Sequence, residues 1–375
     1  MRGKGTALPF SGQGKGVPLP RIAPHFPNLR VRLYALALLA CIEVSLSAAA
    51  PPLPAPYEWH LPPGFPVPAV PADNPMSTAK VALGRRLFFE TRLSVTGRYS
   101  CASCHDPARS FSDGRAVALG ARGDPLPHNA LTLVNVAYNL SYGWTNPEVR
   151  TLELQMLEPL LNEHPVELGL AGREQQVVDV LFADSTYRRA FETAFPQTRP
   201  PVSLDTAVKA IAAFERTLIS GQSPFDLYVF GGIHDALSDE AKRGMALFFS
   251  ARVGCADCHS GFNFSGNWLD AQGATGKPSF ANNGTSDAPM RVPTLRNLAF
   301  TGPYMHDGRF ATLAEVLDHY ERVGAEPDSA QGGERDPRLK RFELTPSERS
   351  ELLAFLATLS DATFVAEQAA GGAGH

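Results

Sequence analysis

Apolar positions along this chain recur mostly at helical spacing, and period-two alternation of the strand type is scarce. Leu352, Leu353, Leu356 and Leu359 form a stripe along one helix face. Just before it, Thr345-Pro346-Ser347-Glu348 is a capping-box pattern with proline at the first helical position. Thr312-Leu313-Ala314-Glu315 repeats the capping pattern. Ser203 and Asp205 open a helix expected over Ala207–Ser220, and Ser238 opens one over Asp239–Phe249. Gly84-Arg85-Arg86-Leu87-Phe88-Phe89 and Gly244-Met245-Ala246-Leu247-Phe248-Phe249 each close an amphipathic helix on Leu-Phe-Phe, a weak internal duplication. The expected fold is mainly α. Gly/Asn/Ser-rich stretches at 261–288 and 323–336 break the pattern and are expected to be loops, long enough to be functional or mobile.

The N-terminal end follows different rules. Arg30 and Arg32 precede an apolar run, Leu33–Ala40, that is too short to span a bilayer, and the small residues Ser47–Ala50 follow. Residues 1–50 therefore read as an export signal, which places the mature chain in the periplasm. Leu38-Leu39-Ala40-Cys41 resembles a lipobox, so lipid attachment at Cys41 and ordinary cleavage near Ala49 both stay open. The Gly/Pro-rich residues 1–29 are unusual ahead of a signal and suggest a start codon assigned too early. Residues 51–76 are too rich in proline for a regular helix and predict an extended arm that links or wraps the body. A boundary is expected near Gly221–His234. It separates an N-terminal unit over 77–232 from a C-terminal unit over 233–362, with 363–375 as a flexible tail.

The length of 375 residues agrees with about two domains. Outside residues 1–50 the chain carries 28 basic against 37 acidic residues, a mildly acidic balance that does not suggest nucleic-acid binding. Such a surface suits a basic protein partner, or solubility alone.

The candidate chemistry lies in two copies of C-x-x-C-H: Cys101-Ala102-Ser103-Cys104-His105 and Cys255-Ala256-Asp257-Cys258-His259. This is the attachment signal for c-type haem, with two thioethers to the porphyrin and an adjacent imidazole on iron. Four of the five cysteines are used this way. A zinc site would more often pair two C-x-x-C units, and a redox dithiol would need a βαβ context. Placed after Leu-Phe-Phe in both copies, the motifs predict two cytochrome c-like helical haem domains. The second face of each iron then separates a carrier from an enzyme. A strong sixth ligand makes an electron-transfer cytochrome, and an open face admits a small oxidant.

Residues 77 to 360 resemble the bacterial di-haem cytochrome c peroxidase superfamily, to which MauG belongs. The resemblance rests on Leu93-Ser94, the first haem motif, Asn129–Asn139, Thr151–Gln155, Pro165-Val166-Glu167, the second haem motif, Val292–Asn297 and Gly302–Gly308, in that order. Trp144-x-Asn146-Pro147 and His164–Gly172 look most like the methanobactin-associated di-haem enzymes, which modify a tryptophan on a partner protein.

The resemblance implies peroxidase activity, with hydrogen peroxide as oxidant. It implies a small redox donor, cytochrome c or cupredoxin, or else a secreted protein substrate. In many members a His about sixteen residues after the first motif covers the iron; here that position is Ala121, so the first haem is expected to be open. His128 and His164 are nearby alternatives. Glu167 matches the distal carboxylate, Gln155 and Pro159 match its neighbours, and Trp144 matches the tryptophan between the haems. Tyr320, fourteen residues after His306, matches the sixth ligand of the second haem, with Met305 as rival. Asn129, Thr301 and Pro303 match an interdomain calcium site. The competing reading is a di-haem electron carrier without peroxidase activity.

Overall fold

The computed structural model describes residues 54–266, 268–270, 273–275, 277–325 and 335–372. The expected export signal, Cys41 and the first residues of the proline-rich arm lie outside this range. The helices, in chain order, are α1 (Thr78–Phe88), α2 (Leu152–Leu161), α3 (Glu174–Ala183), α4 (Ser185–Ala194), α5 (Leu204–Glu215), α6 (Pro224–Val229), α7 (Asp239–Phe248), α8 (Leu313–Ala325), α9 (Pro346–Ala357) and α10 (Ala362–Gly372). The mainly helical expectation holds. Among the described residues no helix is long and apolar enough to cross a membrane.

The capping signals act where the sequence puts them. Ser203 caps α5 in a reciprocal bond with Thr206, Ser238 caps α7, and Thr345 pairs with Glu348 at the start of α9. Helix α5 ends at Glu215, five residues short of the expected Ser220. The cause is Asn135. Its backbone N–H donates to Leu218 C=O at 2.8 Å, and its side chain exchanges two bonds of 2.9 Å with the Ser220 backbone. These bonds draw residues 218–220 out of the helix.

Two helix pairs organise the interior. Helix α1 crosses α5, and α7 crosses α9. At each crossing a glycine lies against a backbone carbonyl: a Cβ at Gly84 would stand 1.8 Å from Ala210 O, and one at Gly244 would stand 1.8 Å from Glu351 O. The aromatic that ends each motif-bearing helix packs on its partner helix, Phe88 on Phe214 at 5.3 Å and Phe248 on Phe355 at 5.2 Å. Leu83, Leu87, Phe111, Phe191 and Ile211 belong to one apolar core; Phe225, Phe264, Leu352 and Leu359 belong to a second. Gly84→Ala and Gly244→Ala should each force the helices apart, costing about 1–3 kcal/mol by overpacking. Thermal unfolding of the two variants checks this, and a wild-type Tm would contradict the crossing geometry.

The duplication runs further than Leu-Phe-Phe. Asn135 and Asn297 both adopt left-handed backbone, each before a short 3-10 turn, and both are buried. Three residues earlier, Thr132 and Thr294 each donate a side-chain bond to a carbonyl, Ser110 O at 2.5 Å and Asn263 O at 2.6 Å. Asn297 Nδ2 reaches Ser110 Oγ at 2.9 Å and Ser220 Oγ at 3.2 Å, so the second repeat is bonded into the first.

The proline-rich arm wraps the body. Phe65 is buried against Phe262, Tyr138 and Phe230, and Tyr138 donates its hydroxyl to Pro66 C=O at 2.8 Å. The C-terminal residues need a correction. Residues 363–372 are not a flexible tail: they lie in α10, capped by Asp361, whose Oδ1 accepts from Phe364 N. Phe364 and Val365 bury themselves in the first core, which anchors the helix. The 261–288 stretch carries three short strands: β1 (Trp268–Asp270) pairs antiparallel with β2 (Gly273–Thr275), and β3 (Phe280–Ala281) pairs antiparallel with β4 (Met290–Arg291) just beyond the stretch. Residues 323–325, expected as loop, complete α8.

Candidate functional site

Each C-x-x-C-H segment closes into a 3-10 turn, Cys101–Ser103 and Cys255–Asp257. The following histidine donates its backbone N–H to the first cysteine's carbonyl at 2.9 Å in both, which gathers two thiols and an imidazole on one turn. His105 Nδ1 lies 3.0 Å from Phe111 O, and His259 Nδ1 lies 3.0 Å from Phe264 O. A carbonyl partner fixes the Nδ1–H tautomer and leaves Nε2 as the lone-pair donor to a metal. Phe111 and Phe264 present those carbonyls from left-handed backbone, φ +59° and +50°, an uncommon conformation for an aromatic residue.

Burial sets the electrostatics of both motifs. It lowers the His105 pKa and brings His259 down to about 4, favouring the neutral, ligating imidazole. It raises all four thiols, Cys104 and Cys255 to about 12. That is opposite to the activated thiolate of a redox dithiol. The donor set and its burial fit thioether-linked haem.

Beside His259 opens a cavity of about 210 Å³. Trp144, Asn129, Thr301, Pro303, Met305 and Tyr320 all line it with Cys255, Cys258 and His259. Residues up to about 190 apart in the chain are thus brought to one cavity. Asn283 Nδ2 lies 3.4 Å from both Met305 Sδ and Tyr320 OH, so the two rival ligands share one end of the cavity. Burial pushes the Tyr320 phenol up to about 12, so a phenolate there calls for a metal cation.

Trp144 is held by its polar edge: Nε1–H donates to Asn129 C=O at 2.8 Å. Asn129 in turn donates its backbone N–H to His306 C=O and its side-chain amide to Arg115 C=O, both at 2.6 Å. The rings of His128 and His306 flank the indole, centroids 6.3 and 6.4 Å away.

The first motif has a different wall. Ala121 is buried, and its N–H donates to Glu167 C=O at 2.7 Å. Gly120 runs so close to Val166 that a Cβ would stand 2.1 Å from the Val166 carbonyl oxygen. Leu168 N–H donates to Pro159 C=O at 2.8 Å, which ties the Glu167 segment to α2. Burial first, then the Glu158 carboxylate, pushes Glu167 up to about 7. Glu167 also acts electrostatically on Cys104, which sets it beside the first attachment site. Gln155 is half-buried on α2, one turn before Pro159. His164 is exposed, and His128 packs its ring on Trp144.

Three neighbours were not singled out in the sequence. Glu158 is three residues after Gln155, a spacing that shares a helix face and could have flagged it. Asn283 and Arg291 lie in segments with no local signal, and only the fold brings them to the cavity.

Comparison with known proteins gives the family. The family model for di-haem cytochrome c peroxidase matches residues 78–233. Methylamine utilization protein MauG of Methylorubrum extorquens is 37% identical over 300 residues, 77% of this chain and 80% of that protein. Cytochrome-c peroxidase IdrP1 of Denitromonas iodatirespirans is 34% identical, covering 90% of this chain and 94% of its own. Among solved structures, a MauG-like protein associated with microbial copper homeostasis aligns with TM-score 0.76 and 36% identity over 82% of this chain and 97% of that one. The chain belongs to the di-haem cytochrome c peroxidase family. It is a peroxide-dependent oxidoreductase with two c-type haems, working with a redox partner such as a cytochrome.

Proposed function

We propose that hydrogen peroxide reacts at the haem held by His105 and that oxidising equivalents pass through Trp144 to the haem held by His259. The observation that carries this reading is Ala121. It stands where many relatives place a blocking His, and it is bonded through its backbone to Glu167. A methyl group cannot ligate iron, so the face beside Glu167 stays open. When bound, the haem supplies an iron with a vacant position for a small oxidant. Glu167 takes the proton from one peroxide oxygen and returns it to the other. A carboxyl with pKa about 7 can do both near neutral pH. Gln155, matched by the family resemblance to a neighbour of the distal carboxylate, would orient the oxidant.

Trp144 offers a π-system at the second haem cavity, and its bond to Asn129 fixes the ring. Tyr320 supplies a phenolate oxygen to the second iron, which favours oxidised states, whereas the thioether of Met305 would favour the reduced one. Asn129, Thr301 and Pro303 hold a calcium ion through a side-chain oxygen and backbone carbonyls, the hard ligands that cation takes. Two haem-binding units, 77–232 and 233–362, meet at this cavity. The protein works in the periplasm, released from its signal or anchored by lipid at Cys41. The name of the copper-homeostasis relative supports a secreted, copper-linked protein as substrate; a small cytochrome or cupredoxin donor is the alternative.

The resting ferric protein should react with peroxide without prior reduction. Stopped-flow spectra of the fully oxidised enzyme check this, and obligatory half-reduction would contradict it. Ala121→His should impose that requirement.

A further inference from the structure

Arg291 ends β4 and lines the cavity beside His259, and it is only 9% exposed. Its backbone N–H donates to Trp144 C=O at 2.8 Å, and its Nε–H donates to Gly143 C=O at 2.8 Å. No carboxylate pairs with it, and neither Nη makes a hydrogen bond, among the described residues. The other buried guanidinium groups are matched. Arg296 meets Asp226 at 2.8 Å, and Arg216 meets Glu153 at 2.8 Å. In the same cavity wall, Arg338 is held by Asp336 at 2.7 Å and Lys340 by Asp257 at 2.6 Å. Arg291 alone among these cations lacks a counter-charge.

A buried charge without a partner is strongly unfavourable, so the site is incomplete as the polypeptide stands. Burial draws the guanidinium down to about 10, which still leaves it cationic at neutral pH. The missing partner must be an anion, must reach the cavity, and must accept from a planar fork of N–H donors. Carboxylates meet this geometry best. Haem carries two propionate carboxylates, and it enters this cavity on Cys255, Cys258 and His259.

We propose that Arg291 anchors a propionate of the second haem and, through its bonds to residues 143 and 144, ties that propionate to the Trp144 segment. This rests on haem attachment at the second C-x-x-C-H. Arg291 is a positioning residue: one cation neutralises the cofactor's carboxylate and sets the backbone that carries the indole.

The test uses the mature di-haem protein with Arg291→Met and Arg291→Lys. Haem-to-protein stoichiometry in the wild type comes first. A chain without haem on the second motif would refute the attachment reading itself. With both haems present, spectroelectrochemistry should find the second haem's potential lowered in Arg291→Met, because loss of a nearby positive charge favours ferric iron. Arg291→Lys should fall between. The propionate bending band in resonance Raman should shift in both, since an ammonium cannot reproduce the fork. If Arg291→Met fails to retain its second haem, Arg291→Lys carries the test through the same two readouts. An unchanged potential and unchanged propionate band in a variant with both haems attached would overturn the proposal.

Discussion

Glu167→Gln slows peroxide cleavage by about 10²-fold or more, the usual range for a lost general acid–base group, while both haems stay attached. The amide keeps the volume and polarity of the carboxyl, so the wall built by Ala121, Pro159 and Leu168 should persist. What it loses is the proton shuttle. The pH profile separates this from a packing defect. Burial and Glu158 bring the Glu167 pKa to about 7. The carboxylate is the form that accepts the first proton, so in the wild type the second-order rate with peroxide should rise with pH and level off above about 7. The Gln variant should be flat across that interval. A wild-type rate, or a retained inflection near 7, would place the shuttle elsewhere.

The second large effect concerns Trp144. Trp144→Phe should leave the initial reaction with peroxide intact yet cut off the second haem. Phenylalanine retains a ring in the cavity but is much harder to oxidise than indole, and it cannot donate to Asn129 C=O. Stopped-flow spectra should then show the peroxide phase at its normal rate, with the second haem's bands unresponsive. Tyr320→Met acts at the far end of the same route. It should raise the second haem's potential by replacing phenolate oxygen with thioether. It should also reduce the share of oxidising equivalents held there. A Trp144→Phe protein in which both haems still respond together would remove the indole from the route.

Much of this arrangement was legible in the chain because its signals are local. Each C-x-x-C-H is one turn, and each capping box sits within four residues, so spacing alone fixes them. Helix α5 shows where local reading stops. Its cap at Ser203 was visible, but its end at Glu215 is decided by Asn135, far away in sequence. The tail failed for a related reason: Phe364 and Val365 are held by the first core, a surface that distant segments build. The second repeat element, Thr132 with Asn135 and Thr294 with Asn297, was present in the letters. Its meaning lies in left-handed backbone and buried side-chain bonds, which composition does not announce.

The site follows the same division. Glu167, Trp144 and Tyr320 were reached through family resemblance, since a lone acid, indole or phenol is ordinarily solvated or packed in a core. The structure adds surroundings that the sequence did not contain. Ala121 lies against Glu167, Asn283 reaches both Met305 and Tyr320, and Arg291 holds the backbone at Trp144. All three depend on contacts between segments far apart in the sequence. Glu158 was the exception, readable as a helix-face neighbour of Gln155.

In the proposed mechanism two haems act as one oxidant store although peroxide reaches only the first. Rapid freeze-quench Mössbauer spectroscopy of the iron-57-labelled protein after one equivalent of peroxide tests it most directly. Both iron signals should change together, within one kinetic phase, with the oxidising equivalents shared between them. A second iron that stays plainly ferric, while a porphyrin or protein radical forms beside the His105 haem, would contradict it and leave an ordinary peroxidase.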